Sequence, residues 1–120
     1  MSTRRVLIGA AACLLVVGAG DARAQATCQG EGTVRSIESN VPTTIEFWNH
    51  ADNDEDYYRI YWLNFSGNRQ LYAEIFTGRG HHQPTFLTHP WLVTAPVPGG
   101  GEICVGIYMP DVSKRTINLQ

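Results

Sequence analysis

The sequence lacks any apolar run of the roughly 18 residues or more that a helix needs to cross a bilayer, so no membrane span is expected. It is also poor in positive charge. Nine lysines and arginines stand against eleven acidic residues, with no basic cluster, which argues against a nucleic-acid partner because phosphate binding needs grouped Lys and Arg. Helical periodicity is missing too. Beyond residue 30 no stretch repeats apolar residues at i, i+3, i+4 and i+7 over several turns. Catalytic patterns are absent as well: there is no nucleophile elbow, Ser-His-Asp set, carboxylate pair or phosphate loop with supporting context, and Gly99-Gly100-Gly101 is read as a flexible turn. No enzyme and no cofactor are therefore expected.

What is present begins with Arg4 and Arg5, an apolar stretch from Val6 to Gly20, and Ala22-Arg23-Ala24. A charged start, a short apolar run and a small-residue cleavage site make a secretory signal peptide, assigned here to residues 1–24, with one domain over 25–120. Residues 1–24 hold three of the nine basic and one of the eleven acidic side chains, so the mature chain carries six against ten. Export would place it in the periplasm or outside the cell. Of three cysteines, Cys13 leaves with the signal, and Cys28 and Cys104 remain near the two ends in an oxidising compartment. They are expected to form a disulfide; two separate buried thiols are the alternative.

The mature chain reads as all-β. Thr43 to Asn49 alternates, with Ile45 and Phe47 on one face, and Tyr57 to Phe65 is dense in aromatic and branched residues. Further strands are expected at Gln70–Glu74, Thr85–His89, Trp91–Ala95, Glu102–Tyr108 and Arg115–Leu119. They are separated by Thr77-Gly78-Arg79-Gly80, by Pro90, by the segment Pro96 to Gly101, and by Pro110-Asp111. Seven or eight short strands with turn signals about every ten residues predict an antiparallel β-sandwich without internal repeats.

The segment Trp62-Leu63-Asn64-Phe65-Ser66-Gly67, then Tyr72, Thr85 and His89-Pro90-Trp91-Leu92, resembles the recognition region of the von Hippel-Lindau β domain. Val34 to Ile37 and Pro42 through Phe47 to Asn49 resemble that family's opening strands. Glu102 to Val105 and Thr116 to Leu119 resemble its last ones, and only the loop around Ala51 to Asp56 is longer. The resemblance implies a domain that binds an extended peptide and buries a 4-hydroxyproline ring, with Trp62, Tyr72 and Trp91 as walls and Thr85 and His89 reading the hydroxyl. The partner segment is expected to lie along the sheet, combining backbone pairing with one deep side-chain pocket. Two positions depart from the family pattern: Pro84 replaces a histidine that helps hold the peptide, and Phe86 replaces a tyrosine. The helical domain through which the family recruits elongin and the ubiquitin ligase machinery has no counterpart after Leu119, so those partners are not expected.

The same residues admit other readings. Trp62 and Trp91 taken singly suit a core, and the same aromatics could serve a carbohydrate-binding or envelope-structural sandwich. His50, His81, His82 and His89 do not make a metal site by spacing, since neighbouring residues of a strand face opposite ways. Asp52, Asp54 and Asp56 lack the glycine and distal glutamate of a calcium loop. Asn64-Phe65-Ser66 fits a glycosylation sequon, yet the asparagine suits backbone bonding at a strand end. The export reading is checked by expressing the full chain with its leader: intact-mass measurement of the exported protein should give a species beginning near Gln25, and retention of uncleaved protein in the cytoplasm would contradict it.

Overall fold

The computed structural model describes residues 27–52 and 57–120. The proposed leader at 1–24 and most of the acidic loop, with Asp54 and Asp56, lie outside the described residues. Among the described residues seven strands follow one another: β1 (Pro42–Asn49), β2 (Tyr57–Leu63), β3 (Arg69–Phe76), β4 (Gly80–Phe86), β5 (Trp91–Pro96), β6 (Glu102–Tyr108) and β7 (Arg115–Leu119). They form a three-stranded sheet in the order β4-β1-β7 and a four-stranded sheet in the order β3-β2-β5-β6. The fold is the predicted β-sandwich. Every pairing is antiparallel except β1 with β7. A parallel neighbour needs a long crossover. Here the connection runs through the whole four-stranded sheet and β4, so β1 and β7 close the domain side by side.

Two local expectations are corrected. Val34 to Ile37 is not a strand: before Pro42 the described chain makes turns and a single isolated bridge between Glu31 and Val34. Thr85 to His89 is not a strand either. The strand there begins at Gly80 and ends at Phe86, where the His89 N–H donates to the Phe86 carbonyl at 3.1 Å and turns the chain. Pro84 is tolerated inside β4 because β4 is an edge. The Leu87 N–H bonds Val41 O and the Asn49 N–H bonds Arg79 O, so odd-numbered residues of β4 pair with β1 and the imino nitrogen of Pro84 faces outward.

The core follows from period-two alternation. Ile45 and Phe47 of β1, Tyr58 and Ile60 of β2, Ile75 of β3, Trp91 and Val93 of β5, and Ile117 and Leu119 of β7 meet between the sheets. Asn49, which is buried, ties the far corner together. Its amide donates to Ile75 O at 2.9 Å, while its backbone carbonyl accepts from Gly78 N–H at 2.9 Å, so the β3–β4 turn is held against the end of β1.

Leu63 and Leu92 face away from that core, yet both are fully buried. They are covered by the N-terminal segment, where Cys28 and Val34 pack on them together with Cys104 and Ile107. A disulfide between Cys28 and Cys104, with Cα atoms 5.1 Å apart, staples this third layer to β6. Ion pairs reinforce it. Arg69 bonds Glu31 at 2.5 Å and reaches Glu102 at 3.3 Å, and Glu102 pairs with Arg59 at 2.5 Å. Hydrogen bonds from Arg69 hold the Glu31 carboxyl below the usual carboxylate range.

A cross-link spanning 76 positions should stabilise the fold by about 4 kcal/mol through loop-closure entropy in the unfolded chain. A Cys28→Ser/Cys104→Ser variant is expected to lose several kcal/mol in guanidinium unfolding, an effect the wild type should reproduce when reduced. An unchanged midpoint would show that the staple is energetically idle.

Candidate functional site

At one corner of the sandwich the two sheets part. Trp62 and Trp91 are directly paired across β2 and β5 at the end of the four-stranded sheet. Trp91 points inward and is only 2% exposed, the largest of the fully buried side chains. Its indole N–H donates to the Thr85 hydroxyl oxygen at 3.0 Å, a bond that crosses from β5 of one sheet to β4 of the other. With one lone pair of Thr85 Oγ1 thus occupied, the hydroxyl retains its own proton and a second lone pair.

Tyr72 reaches the same corner because of a bulge. Along β3 Ile60 pairs with Ala73 but Tyr61 pairs with Leu71, leaving Tyr72 as the extra residue. Plain alternation would place Tyr72 on the outer face with Glu74. The bulge turns its ring inward instead, perpendicular to Trp91 at 5.0 Å and steeply inclined to Trp62 at 6.2 Å.

His89 lies in the turn between β4 and β5. That turn is anchored by Leu87 N–H to Val41 O, by the Thr88 hydroxyl to Ile37 O, and by Leu63 N–H to Pro90 O at 3.1 Å. The imidazole sits 5.5 Å from the Trp62 ring, 5.5 Å from Phe65 and 5.4 Å from Phe86. Its Nε2 is buried without a hydrogen-bond partner among the described residues, and so is Trp62 Nε1. Burial pushes the imidazole below its ordinary titration range, so it is neutral at pH 7 and offers one ring nitrogen as an acceptor.

The five residues singled out in the sequence, Trp62, Tyr72, Thr85, His89 and Trp91, line one cleft of about 170 Å³ together with Gln83, Pro84 and Phe86. This is below the roughly 300 Å³ at which drug-sized ligands begin to fit, and suits a single side chain. Phe65, which meets Trp62 and His89 edge to face, stands beside the cleft, half exposed. Sequence reasoning left out Phe65 and Gln83. Both were within reach: Phe65 stands inside the quoted motif, and Gln83 lies two residues before Thr85 on the same face of β4.

Elsewhere, His81 and His82 fall on opposite faces of β4, bonding Gln83 Oε1 at 2.8 Å and Glu46 Oε2 at 3.3 Å. No group of three His, Cys, Asp or Glu among the described residues is placed to hold a metal. Asn64 caps the β2–β3 turn, its Oδ1 accepting from the N–H groups of Ser66 at 2.9 Å and Asn68 at 3.0 Å.

A two-sheet sandwich with a ring-walled, single-residue cleft where its sheets part has the form of a recognition module. Its family is shown by comparison: the VHL beta domain model matches residues 34–96, and the chain belongs to that family. The matched span contains all eight residues that line the cleft and strands β1 to β5. The VHL β domain is a peptide-binding fold that recognises hydroxyproline and is not catalytic. No curated protein matches the chain.

His89 supplies a pH test. The unfolded chain takes up a proton near pH 6.5, whereas the folded chain does so only at lower pH. The unfolded state therefore binds more protons in that window, and stability present above pH 6.5 falls as the pH drops toward the folded-state value. Denaturation midpoints measured from about pH 7.5 down to about 5 should decline, and His89→Gln should flatten that segment. An NMR titration placing the His89 midpoint above 6.5 would contradict the assignment.

Proposed function

We propose that the protein is an exported, non-enzymatic recognition module whose cleft takes the side chain of a proline or 4-hydroxyproline in an extended partner peptide. The observation that carries this reading is the pairing of Thr85 and His89 within a cleft otherwise walled by rings. A prolyl ring between Trp62, Tyr72 and Trp91 gains apolar burial and contact with aromatic faces. A 4-hydroxyl on that ring would accept from the Thr85 O–H and donate to the neutral imidazole of His89. Trp91 supports the chemistry from behind, because its N–H orients the threonine oxygen.

Unmodified proline would leave both polar groups dehydrated and unpaired, at about 1–3 kcal/mol each, which sets the scale of selectivity for the hydroxylated ring. A disulfide in a chain with a signal-like start supports export to the periplasm or the exterior. A sugar-stacking role is less suited to this corner. Trp91 is buried, and Tyr72 meets both indoles at steep angles, where a sugar would need an open ring face.

Calorimetry with peptides that differ only by proline or 4-hydroxyproline is expected to show binding, with the hydroxylated peptide tighter by roughly ten-fold or more. Thr85→Val should erase the difference between the two peptides, and Thr85→Ser should keep it, with circular dichroism confirming that both variants fold. The absence of saturable binding to either peptide would overturn the reading.

A further inference from the structure

We infer that the segment seated at the cleft is a proline-rich stretch in the polyproline II conformation, and that it does not add to β4 as a strand. This rests on the proposed cleft reading and specifies the kind of partner.

The reason is the hydrogen-bonding capacity of the edge. Strand addition needs outward main-chain donors and acceptors at every second residue. On β4 the outward positions beside the cleft are Pro84 and Phe86, as the Leu87–Val41 and Asn49–Arg79 bonds fix the parity. Pro84 has no N–H. Its carbonyl already accepts from the Gln83 side-chain amide at 2.9 Å, and that amide is itself held by His81 at 2.8 Å. The Phe86 carbonyl already accepts from the His89 N–H at 3.1 Å. Between Pro84 and Phe86 only one outward main-chain donor is left, the Phe86 N–H.

The side chains compensate. Phe65, Tyr72 and Phe86, 50%, 46% and 40% exposed, stand around the cleft and connect ring to ring through Trp62 and His89. An aromatic-lined groove with few main-chain partners fits a ligand that carries no internal or ladder hydrogen bonds, keeps its backbone solvated and presents prolyl rings at a threefold repeat. Such a segment is already ordered before binding, so little entropy is lost when it docks.

The test compares two peptides with the same central 4-hydroxyproline, one flanked by prolines and one by alternating valine and threonine, titrated calorimetrically into the full exported protein. The proline-flanked peptide should bind at least about ten-fold tighter. The Gln83→Ala/Pro84→Ala variant, which restores an outward N–H and releases a carbonyl, should narrow that ratio. Equal affinity, or a preference for the valine-threonine peptide, would overturn the inference while leaving the cleft reading intact. Failure of both peptides to bind would overturn the two together.

Discussion

A single hydrogen bond, from the buried indole of Trp91 to the hydroxyl of Thr85, links the two sheets at the corner where everything of functional interest gathers. It sets how closely β5 approaches β4, makes Trp91 both core and cleft floor, and leaves Thr85 with a proton to give. A phenylalanine at 91 could fill the core but would have nothing to donate. A valine at 85 could line the sheet but would strand a buried N–H, and leaving such a group unpaired costs as much as the bond itself contributes.

The rest of the domain keeps that corner rigid without covering it. Asn49 locks the opposite corner, and the N-terminal layer, stapled by Cys28–Cys104 and laced with the Glu31–Arg69–Glu102–Arg59 ion pairs, covers Leu63 and Leu92 on the outer face of the larger sheet. The domain is small for a two-sheet fold, and small cores are marginal. A covalent staple and a third layer offset that, so the cleft can retain buried polar atoms that are unpaired among the described residues, Trp62 Nε1 and His89 Nε2.

Much of this was legible from residue order. Ile45 and Phe47 announce a half-buried strand, and the spacing of Trp62, Tyr72, Thr85, His89 and Trp91 carried the family resemblance and named five of the eight residues that line the cleft. Other features were not legible. Val34 to Ile37 reads as a strand from its likeness to the family's opening strands, yet Val34 is committed to packing beside Leu63 and Leu92, and Ser36 bonds Leu63 O and Asn64 O. The strand through His81 to Pro84 is hidden by its proline, which is harmless only because β4 is an edge with that nitrogen turned outward.

The residue types and their alternation determined, without coordinates, an all-β sandwich, because period-two burial is a local property, while the residues of the cleft were named through the family resemblance. Which sheet each strand joins, the parallel closure of β1 on β7, the bulge that swings Tyr72 inward and the prior engagement of the Pro84 and Phe86 carbonyls were decided only in the tertiary structure. Sheet membership and the parallel closure depend on partners distant in sequence and the bulge on a one-residue slip in register, while the two carbonyls are engaged by near neighbours, Gln83 and His89, through a side-chain rotamer and a turn that the residue pattern does not specify.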